Sequence, residues 1–286
     1  MLDALVALPI ICFICIKDKK EALLKSLALG CIAIFIGSYI VPEPNKIIWT
    51  YLESGRYFIL AIVLLFELTA ILTVYFALKT AIRQQHDPDI SIENSINKYF
   101  GEGTIATLLS FEVRMWSYAL LASKVQTTHF IGEHYFSYHE KDGAQSNLLG
   151  FALLIAFEMP LMHLLIHFTY SPLAANIITF LTLFSLVFFI AEYRAVSRRP
   201  ISLAKNKLII RYGLFQPLTL DLSNIATVAY HKEFVKRSRL VKRYNYAGNP
   251  NIVIALKEPL GTVKHIFIGI DKPEQFIAII QAAKNR

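Results

Sequence analysis

The chain has 286 residues, too few for a twelve-helix transporter with duplicated halves. Hydrophobic residues make up 55% and charged ones only 17%, which puts it in the membrane class. The net charge of +8 is uneven: residues 199–286 hold 15 Lys and Arg against 5 Asp and Glu, while the rest holds 14 against 16.

A run of roughly 20 apolar residues crosses the hydrocarbon core. Leu2 to Ile16 is short and lacks the basic leader and small-residue cleavage site of a signal peptide, so it reads as a retained helix. Ser26 to Val41 is a little longer, and Tyr57 to Leu78 qualifies fully. Cys12 and Cys15 spell C-x-x-C, a redox or metal spacing in a soluble loop. Inside apolar helices they and Cys31 read as small buried hydrophobes.

Thr104 to Val125 is mostly apolar but carries Glu112 and Arg114. These lie about 200° apart around a helix and do not pair on one face. The segment reads as interfacial or re-entrant, with a membrane hairpin completed near Phe130 to Tyr138 as the alternative. Leu148 to His167 and Ala174 to Ile190 complete an α-helical bundle of about five transmembrane helices plus one amphipathic or re-entrant helix. Lys17, Lys19, Lys20, Lys25, Lys79, Arg83, Arg194, Arg198 and Arg199 collect at ends that all become cytoplasmic when the N-terminus is outside.

Two of these runs hold a central carboxylate, Glu67 and Glu158, and the second also holds His163 and His167. An intramembrane charge is costly and normally faces a partner inside the bundle. His163 and His167, four apart, share a helix face, and Pro160 offers a kink that would swing Glu158 towards them. Three readings stand. The carboxylates remain protonated and hydrogen-bond neighbouring helices; they form a proton or cation relay or a polar cavity; or His163, His167 and Glu158 hold zinc or iron. The chain lacks H-E-x-x-H, a P-loop, G-x-G-x-x-G and G-x-S-x-G.

After Arg199 short β-branched runs alternate with turn residues: Lys207 to Tyr212, Leu218 to Leu222, Ile225 to Tyr230, Ile252 to Lys257 and Val263 to Ile270. This spacing predicts a small antiparallel sheet or barrel. Pro273 opens a last helix with Asp271 as N-cap, and Phe276, Ile277, Ile279 and Ile280 form its apolar face. The expected domains are 1–198, helical and membrane-embedded, and 199–286, β-rich and cytoplasmic.

Asn206-Lys-Leu-Ile-Ile-Arg-Tyr-Gly213, Leu218-Thr-Leu-Asp-Leu-Ser-Asn-Ile225 and Ile266-Phe-Ile-Gly-Ile-Asp-Lys-Pro-Glu-Gln-Phe276 resemble bacterial pleckstrin-homology-like (PH-like) domains found beside membrane helices. With Tyr138-His-Glu-Lys141 and the Glu-then-His pair that follows, the whole chain is similar to bacterial polytopic membrane proteins in which such a domain follows the last helix. That resemblance implies an inner-membrane architecture and no activity.

Lys232, Lys236, Arg237, Arg239, Lys242 and Arg243 crowd one segment of this domain. It reads either as a solvated topology signal or as a surface for anionic lipid, to which each such charge contributes about 1 kcal/mol. No docking element for nucleic acid is present in the sequence. The leading expectation is a non-enzymatic sensor or accessory protein whose basic domain engages anionic lipid or a protein partner. The competing one is an enzyme or cation-handling protein using Glu67, Glu158, His163 and His167. The small size leaves room for a homo-oligomer or a larger membrane assembly.

Overall fold

The computed structural model describes residues 2–15 and 87–284, with positions 19, 22, 23, 26 and 30 between them. The chain divides into two units, Met1–Thr73 and Val74–Arg286. In the first unit, α1 (Leu2–Cys15) is 14 residues long and contains Pro9. At 1.5 Å per residue these 14 described residues cover about 21 Å.

Among the described residues of the second unit the first element is α2 (Pro88–Phe100), whose start follows from Asp87-Pro88-Asp89. The Asp87 carboxylate accepts the Asp89 backbone N–H at 2.9 Å, and Pro88 fills the first helical position, where no N–H is needed. Gly101, at φ 69°, closes the helix. In α3 (Thr104–Leu121), Ala106, Ser110, Arg114, Ser117 and Tyr118 recur at helical spacing and are all buried, while Glu112 is exposed on another face.

Two long helices follow, α4 (Ala144–Thr169) and α5 (Pro172–Val196), joined at Tyr170 and Ser171 into an antiparallel hairpin. Ser171 caps α5 by accepting the Ala174 N–H at 3.1 Å. Large apolar side chains cover the outside of both helices, with Phe168 80% exposed and Phe180 69%. Among the described residues these two helices alone are long and apolar enough to cross a membrane.

The expected bundle of about five spans is therefore corrected: the described chain has two candidate spans and eight strands in two sheets. Thr104–Leu121 packs along the C-terminal half of α5 with its Arg114 sealed in protein. Ala191 and Ala195, both fully buried, let α3 come close to α5. Phe111 meets Phe188 at 6.2 Å and Trp116 meets Phe184 at 6.5 Å. Ser26 to Val41 and Tyr57 to Leu78 lie outside the described residues, apart from Ser26 and Gly30.

The C-terminal part is β-rich. β1 (His134–Phe136), β2 (Ile201–Ala204), β3 (Lys207–Ile210) and β4 (Leu218–Asp221) form one antiparallel sheet in that order. β5 (Ile225–Tyr230), β6 (Val241–Tyr244), β7 (Ile252–Leu260) and β8 (Val263–Ile268) form the second, in the order β5-β7-β8-β6. Here β6 runs parallel to β8, where strand spacing had predicted an antiparallel sheet throughout. The first sheet recruits β1 from before the hairpin, so its strands do not all come from the chain after Arg199.

Inward-facing Ile and Leu from both sheets, including Ile201, Leu208, Ile225, Ile254 and Ile266, make one core. α6 (Pro273–Lys284) closes it with Phe276 and Ile280, Phe276 meeting Phe136 edge-on at 4.8 Å. Leu148 and Val196, from the two ends of the hairpin, belong to the same core. The apolar helices are thus rooted in the β-domain.

Candidate functional site

Where the hairpin meets the β-domain, five charged side chains are buried together: Asp87 and Asp89 at the start of α2, Arg114 on α3, Arg199 just after α5, and Arg211 just after β3. Asp89 lies at the centre. One carboxylate oxygen accepts Arg114 Nε at 3.0 Å; the other accepts Arg199 Nη2 at 2.8 Å and Arg211 Nε at 3.1 Å. Asp87 accepts Arg211 Nη2 at 2.5 Å and the Ile131 backbone N–H at 3.0 Å.

Other guanidinium hydrogens go to backbone and hydroxyl oxygens, while Arg199 Nε has no partner among the described residues. Arg114 Nη1 donates to the Leu214 carbonyl at 2.9 Å. Arg199 Nη1 donates to the carbonyls of Gly213 and Phe215, and Arg211 Nη1 to Ser202 Oγ at 2.7 Å. The Arg211 guanidinium also lies 4.9 Å from the Phe130 ring centroid. Half-buried Glu93 touches Arg114 at 3.4 Å from the rim, and burial raises its carboxyl pKa against the pull of Arg114.

Such a cluster ties down geometry more than it adds stability, because desolvation costs several kcal/mol per ion and roughly offsets the attraction. Every carboxylate in it is held by guanidinium groups, so none is free to act as a base. It binds α2, α3, the end of α5 and β3 into one body.

A second set of contacts wraps the turn after β3. Glu192 accepts the Leu214 N–H at 2.7 Å, and Tyr138 accepts the Gly213 N–H at 2.9 Å while stacking on Tyr212 at 5.0 Å. Burial pushes the Tyr138 phenol above its ordinary range. Asp271, expected as an N-cap, instead accepts the backbone N–H groups of Glu140 at 3.1 Å and Lys141 at 2.7 Å. The stretch Tyr138 to Lys141 is thus the joint between the hairpin entrance and the β-domain.

Comparison with family models, curated proteins and solved structures finds no match.

The expected intramembrane site has one part outside the described residues, Glu67. Glu158 is exposed on α4, and the helix runs uninterrupted through Pro160. His163 Nδ1 lies 2.7 Å from Thr179 Oγ1 on α5, and the His163 and His167 rings are 5.8 Å apart. Among the described residues no three His, Cys, Asp or Glu side chains are grouped to hold a metal.

The basic segment is brought together in part. Lys232, Lys236, Arg237, Arg239 and Lys242 are exposed, and among the described residues none is in an ion pair. Arg243 differs: it is half-buried, donates to the Val235 carbonyl at 2.6 Å, and lies 5.5 Å from the Phe234 ring. Its last two cations belong to β6 and not to a loop. Phe234, 71% exposed, and Leu240, 50%, stand among the cations. The turn that follows β6 abuts the hairpin entrance, since a Cβ on Gly248 would touch Asp142 at 3.3 Å and one on Gly269 would touch Asn245 and Lys141.

Sequence reasoning missed Asp87, Asp89 and Arg211 as site residues. The helix-start signature of Asp87-Pro88-Asp89 was available, and Arg114 in an apolar run required a partner.

The central carboxylate predicts an acid limb. Burial alone would raise the Asp89 pKa, but Arg199, Arg114 and Arg211 outweigh it and lower it from 3.8 to about 2. The folded state therefore resists protonation more than the unfolded chain does. The contribution, about 2 kcal/mol, is complete above about pH 4 and disappears as pH falls through about 2. Thermal unfolding of the detergent-solubilised protein should show this limb, and Asp89→Asn should flatten it; identical profiles would refute the assignment.

Proposed function

We propose that the protein is a membrane-anchored, non-enzymatic sensor or accessory module whose β-domain engages anionic lipid through the segment 232–243. In this reading the α4–α5 hairpin sits in the bacterial inner membrane with both ends on the cytoplasmic side, as Lys141, Arg194, Arg198 and Arg199 at its base favour. The β-domain is of the PH-like kind, a reading supported by two small sheets closed by a C-terminal helix. The carrying observation is the surface itself: five exposed cations interleaved with exposed Phe234 and Leu240, leading through β6 into a turn that touches the hairpin entrance. Cations attract an anionic leaflet, and apolar side chains between them enter the headgroup region.

The full chain is the proper test object, because β1 and the buried ion cluster both draw on residues before 199. A Phe234→Trp variant is placed in nanodiscs of phosphatidylcholine, with or without phosphatidylglycerol. Brominated lipid should quench the added tryptophan only in the anionic discs. Salt should relieve the quenching, since charge attraction is screened over about 10 Å at 0.1 M. Replacing Lys232, Lys236, Arg237, Arg239 and Lys242 by Gln should abolish it. Equal quenching in neutral discs, or in the neutralised variant, would reduce the segment to a topology signal.

A further inference from the structure

Glu158 stands midway along α4, about 15 Å along the helix from Leu148 and about 18 Å from Tyr170. It is exposed and has no hydrogen-bond partner among the described residues. The hairpin's hydroxyls, by contrast, are satisfied within it. Thr169, Thr182 and Ser185 donate to the carbonyls of Leu165, Ile178 and Leu181, at 2.7, 2.8 and 3.0 Å. Thr179 pairs with His163. His167 and Asn176 lie within about 8 Å of the turn at Tyr170 and Ser171, where headgroups and water supply partners.

Glu158 is therefore the polar side chain that a membrane-crossing hairpin leaves in hydrocarbon. A carboxyl at that depth is costly when lipid alone surrounds it, and such groups face protein.

Its position on the helix shows which face needs covering. Phe151, Leu154, Glu158, Leu161, Leu165 and Phe168 are all exposed, and they follow one another at intervals of three and four residues. That is the a/d spacing of a left-handed coiled coil, with Glu158 as the single polar residue at an a position. The side of α4 turned to α5 is a different one, marked by buried Ala152 and by His163.

The same carboxyl points to the occupant. Between Ala144 and Tyr193 there is no Lys or Arg, so a second copy of the hairpin has no cation to offer Glu158, only its own Glu158. A carboxyl carrying its proton is donor and acceptor at once, and two of them satisfy each other face to face. Copies inserted in the same orientation bring their α4 helices together in parallel, and in a parallel pair each a residue meets the same residue of its neighbour. A two-fold axis along the membrane normal generates that arrangement and closes the assembly at two.

We propose that the protein is a homodimer within the membrane, its two copies packed α4 against α4 along this seam, with the two Glu158 carboxyls hydrogen-bonded across the axis. The dimer rests on the hairpin crossing the membrane, as proposed above, and is independent of lipid binding by the segment 232–243.

The test uses the full chain in phosphatidylcholine liposomes, with subunits counted by single-molecule photobleaching as the protein is diluted in lipid. Two subunits per particle are expected, separating at high dilution. Glu158→Leu should weaken the dimer about three- to tenfold, the effect of losing interhelical hydrogen bonds in lipid. Glu158→Gln should keep most of it, because an amide pair also donates and accepts. In a chain whose three cysteines are replaced by alanine, single cysteines at Leu154, Leu161 and Leu165 should form disulfide-linked dimers on oxidation. Cysteines at exposed Leu153 and Ala156, off the seam, should not.

Resistance of the liposome-bound protein to alkaline extraction separates the two readings. An extractable protein would overturn the membrane reading and the dimer with it. An integral protein that is counted as one subunit at every dilution overturns the dimer alone. So does a Glu158→Leu variant that dimerises as tightly as the unsubstituted chain, or equal cross-linking on and off the seam.

Discussion

Asp89→Asn is expected to lower stability by about 3–5 kcal/mol, the usual consequence of removing one partner from a buried ion cluster. The asparagine keeps the shape but not the charge, and its amide offers one acceptor oxygen where the carboxylate offers two. Asp89 now satisfies Arg114, Arg199 and Arg211 at distances of 2.8 to 3.1 Å, and all three arginine side chains are at most 2% exposed. Without it, Asp87 remains as the only other fully buried carboxylate in contact with the cluster among the described residues. At 2–4 °C per kcal/mol for a unit of this size, the unfolding temperature should fall by roughly 10 °C. Glu93→Gln is the internal control: half-buried and 3.4 Å from Arg114, it should cost under about 1 kcal/mol. Equal losses for the two variants would mean that Asp89 is not the centre of the network.

How far the sequence revealed this fold can be judged element by element. Runs with β-branched alternation between turn residues located β3, β4, β5, β7 and β8, and Pro273 located α6. β1 and β2 are only three and four residues long, and β1 owes its existence to pairing with a strand some 65 residues later. Local pattern cannot encode that. β6 was hidden by its cations, because Val-Lys-Arg-Tyr reads as solvated loop until β8 gives it a parallel neighbour. Thr104 to Leu121 was legible as an irregular membrane candidate, since Arg114 spoils a span. Its true role became visible only with partners 25 and 100 residues away, Asp89 and the Leu214 carbonyl.

The candidate sites follow the same logic. With Arg194 and Arg198, Arg199 reads in the sequence as a topology signal at the end of an apolar helix, and that reading is satisfied by any exposed arginine. Burial gives it a second role that charge counting cannot supply. The His163 and His167 rings lie 5.8 Å apart, and His163 engages Thr179 across the hairpin. Spacing alone did not reveal that hydroxyl, because it belongs to the other helix.

Gly213→Ala is expected to be nearly as damaging, and through a different mechanism. Gly213 has φ +51°, a left-handed conformation that costs an alanine roughly 1–2 kcal/mol. A Cβ built there would lie 1.7 Å from Glu192 Oε1 and 2.4 Å from its Cδ. The carboxylate is the far end of a flexible side chain, yet it cannot simply swing aside: it is buried and holds the Leu214 N–H at 2.7 Å. Displacing it forfeits that hydrogen bond, worth about 1.5–3 kcal/mol, so the combined loss should be about 3–5 kcal/mol. Glu192→Ala alone should cost about 1–3 kcal/mol for the stranded Leu214 donor. In the double variant the alanine at 213 no longer meets a carboxylate, and the hydrogen bond is lost once instead of twice. The two losses should therefore fall short of additivity by about 1–2 kcal/mol, within the range expected for residues in direct contact. Unfolding of all four proteins in the same detergent measures this coupling. Losses that add to within about 0.5 kcal/mol would show that Gly213 is required only for its backbone conformation and that Glu192 does not seal the turn.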